Sequence, residues 1–261
     1  MKYRLLFLSI SVVVIVAGIL SVLNWGLKFG LDFKGGTLIE YRLNNGQKKI
    51  ERYGTLKNED LEKIRADFKN QGAIEERLET VGPTIGPELV KKTIYGLLIS
   101  TSAILFWIAY QFKSIKFGVS ATIATFHDAL VVIGVYSIFG HFFGAEIDFL
   151  FVTALLTIIS FSVHDTIVVY DRIRELQKKS GADLKELANL ALSETMVRSI
   201  NNSFTIMFML VALILMGGET TKWFAVALLV GTISGTYSSP FVAVPILVTW
   251  DEIQKKLKAK S

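Results

Sequence analysis

DFLFVTALLTIISFSVHDTIVVYDRIRE, residues 148 to 175, decides what kind of protein this is. The part from Phe149 to Tyr170 is apolar and long enough to cross a bilayer, whose hydrocarbon core takes about 20 helical residues. Inside it stands the pair His164-Asp165, and the run ends in the charged cluster Asp171, Arg172, Arg174 and Glu175. At about 1.5 Å per residue, the segment Thr166 to Asp171 puts Asp165 nearly two turns deeper than the next acid. A carboxylate at that depth is costly unless it is paired or hydrated, so Asp165 is a candidate functional residue.

The remaining sequence fits a membrane protein. Of 261 residues, 51% are hydrophobic, and the mean hydropathy of +0.47 is too high for a soluble domain. There is no cysteine, which excludes disulfides and thiolate chemistry. The formal charge is +5, and the basic residues stand at the ends of apolar segments. That is the pattern of membrane orientation rather than of a nucleic-acid patch, so no nucleic-acid partner is expected.

Six apolar runs are expected to span the membrane. The first, over residues 1–25, follows a short basic start, and without an Ala-x-Ala site after it, it reads as an uncleaved span rather than a signal peptide. Five more lie within 93–250: Thr93 to Phe112, Phe117 to Phe139, Phe149 to Tyr170, Ile200 to Met216, and Trp223 to Trp250. The last is punctuated by Gly231, Gly235, Pro240 and Pro245. With the N-terminus inside, the inside segments carry Lys2 and Arg4, Lys113 and Lys116, Arg172 to Arg198, and the basic tail 251–261 with Lys255, Lys256, Lys258 and Lys260. The two short outside loops hold one Lys between them, Lys222, so both termini are expected in the cytoplasm. Residues 171–198 read as a charged helix end, a Ser180-Gly181 break and an amphipathic helix at the inner interface.

Residues 26–92 are different in character and are expected to form a small α/β domain outside. Gly35 to Leu43 is rich in strand formers, Asn45-Gly46 signals a hairpin, and Gln47 to Tyr53 supplies the return strand. Leu56 to Asn70 spaces Leu61, Ile64 and Phe68 as a helix does, and Ala73 to Val81 reads as a further strand. Gly82-Pro83 and Gly86-Pro87 mark the return to the membrane.

A protonatable carboxylate at Asp165 suits a proton relay, which must alternate between a neutral state in dry surroundings and an ionised state when hydrated or paired. The plainer reading is an acid hydrated at a helix end. Arg198 opens the fifth span and is followed by Ser199, Asn201, Asn202, Ser203 and Thr205. It is either a snorkelling anchor or the cation that pairs with ionised Asp165, with Asn201, Asn202 and Thr205 lining a hydrated path. His164 either tunes Asp165 or passes it a proton. His127-Asp128, near the middle of the third span, suits interhelical hydrogen bonds. Adjacent helix residues point about 100° apart and no H-E-x-x-H is present, so no metal site is expected. Gly30 to Thr37, GLDFKGGT, has Gly where a P-loop needs Lys, which argues against nucleotide binding.

Four stretches in order then carry a resemblance: GLDFKGGTLIEY (30–41), TFHDALVVIGVYSIFG (125–140), SVHDTIVVYDRIRE (162–175) and VRSINNSFT (197–205). Over essentially the whole chain the sequence resembles the SecD/SecF family of bacterial protein-export subunits, in its SecF form because the external domain is small. The resemblance implies a polytopic α-helical membrane protein, the six-helix half of an RND-type assembly, with a ferredoxin-like external α/β domain between the first two helices. It implies residence in the bacterial cytoplasmic membrane and a twelve-helix complex with SecD. It further implies work beside SecYEG and YajC on unfolded translocating polypeptides, driven by the proton-motive force. No cofactor and no enzymatic activity are implied. By motif match the family's intramembrane acid falls on Asp165 and its arginine on Arg198. The family's usual Asn before the acid is replaced here by His164, while the motif Gly30, Asp32, Phe33, Gly35, Gly36 and Thr37 is intact. Two other readings stand beside it: a passive scaffold for SecD, and an intramembrane aspartyl protease using Asp128 and Asp165. The second lacks a Gly-x-Gly-Asp signature.

Overall fold

The computed structural model describes residues 3–44, 46–82 and 85–259. Asn45 of the hairpin signal, Pro83, Lys2 and Lys260 lie outside the described residues. The elements in order are α1 (Arg4–Trp25), α2 (Leu31–Lys34), β1 (Gly36–Arg42), β2 (Lys48–Tyr53), α3 (Asn58–Asn70), β3 (Ile74–Val81), α4 (Ile85–Phe112), α5 (Ile115–Phe143), α6 (Phe149–Lys179), α7 (Leu184–Met216), α8 (Glu219–Ser238), a π-helical turn (Ser239–Ala243) and α9 (Val244–Lys258). Among the described residues, six helical stretches are long and apolar enough to cross a membrane: α1, α4 from Gly86, α5, α6, α7, and α8 to α9 as one rod. The fold is the expected one, six apolar helices with a small α/β region between the first and second.

That chain separates into two compact units. The small one is Phe29–Gly96 together with Ile147–Phe149, and the larger holds the helical remainder. In the small unit an antiparallel sheet runs in the order β2-β1-β3. Among the described residues it has three strands, the helix α3 and the start of α4, where a complete ferredoxin-like unit has four strands and two helices. Its core is correspondingly small: Ile39, Tyr41 and Phe68, with the Tyr41 and Phe68 rings stacked at 3.7 Å. Pro87 falls inside the first turn of α4 instead of ending a loop, because proline is tolerated where a helix has no N–H partner to lose.

In the helical unit the close contacts are made by glycine. Gly18 on α1 faces Gly134 on α5, and a Cβ on Gly134 would meet the Gly18 Cα at 2.4 Å. A Cβ on Gly231 of α8 would meet the Ile158 side chain of α6 at 2.2 Å. Small residues are the usual means by which apolar helices gain van der Waals contact in a membrane, where burial from water no longer drives association. The glycines of the last span therefore pack helices and do not interrupt them.

Pro240 does interrupt the regular α geometry. A proline inside a helix lacks its N–H and presses on the carbonyl four residues back. Here the strain is absorbed by the π turn Ser239–Ala243, and the rod continues as α9. The expected break at Ser180-Gly181 is present between α6 and α7. The amphipathic segment that ends at Arg198 is not a separate helix, however. It is the first part of α7, whose Leu184, Leu187, Ala188 and Ala191 join the bundle core. An apolar stripe in register with the span that follows has no reason to bend away from it.

At the charged end of the bundle, Lys116 of α5 and Lys255 of α9 both bind Asp251, Lys255 also binds Asp183, and Arg4 binds Glu252. These pairs tie α1, α5, α7 and α9 together. Replacing Gly134 by Val should separate α1 from α5 and lower stability by about 1–3 kcal/mol, the usual cost of overpacking. Thermal unfolding of the purified protein in detergent would measure this, and an unchanged midpoint would refute the close approach.

Candidate functional site

Asp165 is 3% exposed, on the face of α6 that meets α7. Ser199 Oγ of α7 donates a hydrogen bond to Asp165 Oδ1 at 2.9 Å. The other oxygen, Oδ2, is buried and has no hydrogen-bond partner. Leaving a buried acceptor bare costs roughly 1–3 kcal/mol, more for a charged group, so Oδ2 is the position at which a proton or a cation would be held.

Arg198 is exposed and forms no ion pair with Asp165. The reason is geometric: residues 198 and 199 point about 100° apart on one helix, so the face that brings Ser199 to the acid turns Arg198 away. The same holds on α6, where His164 is exposed beside buried Asp165. Asn201, Asn202 and Thr205 are exposed too, and the Thr205 hydroxyl donates back to the Asn201 carbonyl. Of Arg198, His164, Asn201, Asn202 and Thr205, none forms a hydrogen bond with the Asp165 carboxylate. Its direct partner is Ser199, which the sequence shows only as one polar residue in a run of five.

Below and behind Ser199 the polar contacts continue. Ser203 Oγ donates to the Ser199 carbonyl at 2.9 Å, and Thr236 Oγ1 of α8 donates to Ser203 Oγ at 2.6 Å. Thr166, next to Asp165, shares a 2.9 Å hydrogen bond with Ser239 in the π turn. Tyr170, one turn further along α6, bonds Ser120 of α5 at 2.7 Å. Short hydroxyl side chains thus line the inner faces of α6, α7 and α8.

Asp128 presents the opposite environment. It is fully buried and receives three hydroxyl donors at 2.6 Å: Ser162 of α6, and Ser234 and Ser238 of α8. His127 Nδ1 lies 3.0 Å from the same carboxylate, while its Nε2 is buried without a partner. Three hydroxyls replace the water a carboxylate would otherwise need, and they join α5, α6 and α8 at one point. Gly235 lies against Ser162 here, where a Cβ would make an ordinary van der Waals contact at 3.4 Å. The i, i+4 spacing of Ser234 and Ser238 is the sequence signal that was available for this cage. Among the described residues, no three His, Asp or Glu side chains converge as a metal site would require.

The motif Gly30 to Thr37 lies in the small unit. Asp32 Oδ2 accepts a 2.8 Å hydrogen bond from the Phe149 N–H, and the Gly30 N–H donates to the Ile147 carbonyl at 2.7 Å. Gly36 has φ +122°, and a Cβ there would meet the Tyr53 carbonyl at 2.5 Å. Thr37 begins the sheet and pairs its hydroxyl with that of Thr80.

Comparison with known proteins places these features in a family. Residues 61–253 match the model described as protein export membrane protein SecD/SecF, C-terminal, and residues 24–46 match the SecD/SecF GG motif. A protein translocase subunit SecF of Thermobaculum terrenum is 37% identical over 294 residues, covering 96% of this chain and 93% of that protein. A protein translocase subunit SecDF of Bacillus subtilis is 32% identical, covering 95% of this chain but 37% of the longer relative. The crystal structure of SecDF from Thermus thermophilus, described as a translocon-associated membrane protein, superposes with a TM-score of 0.88 at 28% identity. It covers 97% of this chain and 38% of that one, so the present chain spans somewhat more than a third of such SecDF proteins.

Truncating Asp128 tests the cage. Interhelical hydrogen bonds in membrane proteins average about 0.6 kcal/mol, so loss of three in Asp128→Ala should cost about 2 kcal/mol. Asp128→Asn, which keeps one acceptor oxygen, should lose less. Unfolding of the purified variants in detergent checks the order, and an Ala variant as stable as the parent would refute it.

Proposed function

The chain belongs to the SecD/SecF family of protein-export membrane proteins, and on that premise we propose that it is the SecF subunit of a protein translocase whose work is driven by protons passing Asp165. The observation that carries this reading is the bare Oδ2 of a carboxylate buried at membrane depth. A group that is fully satisfied in one state has no reason to change; one that lacks a partner does. Binding a proton at Oδ2 removes the uncompensated acceptor. Losing it leaves a carboxylate that calls for a cation, and Arg198, adjacent in sequence to the Ser199 donor, is the nearest candidate on α7. Reaching Asp165 would require α7 to shift against α6, so protonation would set helix packing. Moving a charge through the full membrane field is worth about 2.3 kcal/mol per 100 mV, enough to bias such a shift.

The exposed polar residues support a partner at the same level. His164, Arg198, Asn201, Asn202 and Thr205 lie on open faces of helices whose surroundings are otherwise apolar. Ionisable and amide side chains within spans normally face protein or a water-filled cavity rather than lipid. A SecD subunit completing a twelve-helix assembly would supply that cover, in keeping with relatives in which the corresponding region is part of one longer SecDF chain. In this reading both termini are cytoplasmic, the small α/β unit is external, and the chain is a transport accessory rather than an enzyme. SecYEG, YajC and the unfolded exported polypeptide are its further partners, and His164 modulates Asp165 from the open side.

The test is Asp165→Asn in membrane vesicles carrying the complete complex. The proton-motive-force-dependent part of export should fall at least tenfold while subunit levels and assembly stay unchanged; normal export would remove the relay. Arg198→Ala should show the same loss, and full activity in that variant would remove the arginine from the mechanism.

A further inference from the structure

The glycine motif at 30–36 is the one motif that the relay leaves without a task. Its loop geometry answers no known ligand-binding requirement, yet it is tightly specified. Leu31–Lys34 form a single helical turn, closed by Gly35, which has φ +72° and donates its N–H to the Leu31 carbonyl at 2.8 Å. Gly36 follows at φ +122°, with no room for a Cβ beside the Tyr53 carbonyl. Gly86 is equally constrained, since a Cβ there would lie 2.5 Å from the Phe33 carbonyl. The turn is therefore wedged in place on two sides.

What the wedge presents is Asp32, and what Asp32 meets is the first residue of α6. Its carboxylate accepts the Phe149 N–H at 2.8 Å, across 117 residues of sequence. Two backbone contacts hold the neighbouring strands of chain together: Phe29 pairs with Ile147 in a parallel bridge, and Gly30 N–H donates to the Ile147 carbonyl at 2.7 Å. All of these residues belong to the small unit, which includes Ile147–Phe149. A helix begins with four N–H groups that its own carbonyls cannot reach, and an acidic side chain at that end also meets the positive end of the helix dipole. The cap is usually supplied by a residue next to the helix. Here a distant motif provides part of it.

We propose that Asp32 is a positioning residue for α6: the glycine motif is a clamp that fixes where α6, the helix carrying Asp165, begins. The glycines are needed because Gly36 passes close to the Tyr53 carbonyl and Gly86 close to the carbonyl of Phe33 in the turn, which together aim one carboxylate at one N–H. Removing the carboxylate takes from the Phe149 N–H this acceptor and loosens the first turn of α6. The clamp stands on geometry alone; its consequence for export rests on the proton-coupled reading.

The experiment uses the full chain in its membrane complex with two substitutions. In Asp32→Ala, hydrogen exchange of the amides from Phe149 to Val152 should quicken at least tenfold. Proton-driven export should fall several-fold, with normal subunit levels. Asp32→Asn keeps an oxygen acceptor for the Phe149 N–H and should restore both. Unchanged exchange in the Ala variant, or an Asn variant as defective as Ala, overturns the clamp. Because exchange at α6 is read without reference to protons, a failed Asp165→Asn test would leave that measurement standing, and the two failures are distinguishable.

Discussion

A carboxylate inside an apolar bundle has to be solvated by the protein itself, and the helical unit is arranged around two of them. Asp128 is given three serine hydroxyls and becomes a fixed junction of α5, α6 and α8. Asp165 is given one, from Ser199, and keeps a bare oxygen. They are the same side chain in the same kind of bundle, and the number of donors within reach separates a joint from a site that can respond. Ser162, which serves Asp128, stands one turn before Asp165 on α6, so the saturated acid also anchors the helix that carries the incomplete one.

Delivering hydroxyls to a buried acid requires helices that approach closely. Gly231 lets α8 lie against α6, and Gly18 and Gly134 do the same for α1 and α5. The π turn at Ser239–Ala243 is part of the same arrangement. It takes up Pro240 and places Ser239 against Thr166, the neighbour of Asp165. π turns inside long helices often mark functional sites. Here the turn sits where α8 has finished supplying Ser234 and Ser238 to Asp128. Backbone irregularity and polar contact coincide because both need a helix that is not quite regular.

The small unit follows a different economy. Among the described residues, its sheet and α3 share a hydrophobic core of Ile39, Tyr41 and Phe68. A core of that size is marginal by itself. The unit also draws in Ile147–Phe149 from a distant part of the chain, through Gly30 and Asp32. Its most constrained backbone, at Gly35 and Gly36, is spent on that contact rather than on a ligand loop.

Hydropathy and periodicity by themselves determined the number of spans and the α/β character of residues 26–92, and singled out two acids. Those are local properties: an apolar run long enough for a bilayer, an alternation or a 3.6-residue stripe, a charge where none should be. Only the tertiary structure decided who touches whom. Arg198 and Ser199 are equally polar neighbours in the sequence, and the azimuth of α7 against α6 gives Asp165 the serine and turns the arginine outward. The same packing gathers Ser162, Ser234 and Ser238 around Asp128 from two helices; within the small unit, Asp32 meets Phe149 across 117 residues of sequence. Rotation and depth of packed helices are set by glycine contacts and a π turn on helices distant in sequence, and no local pattern encodes them.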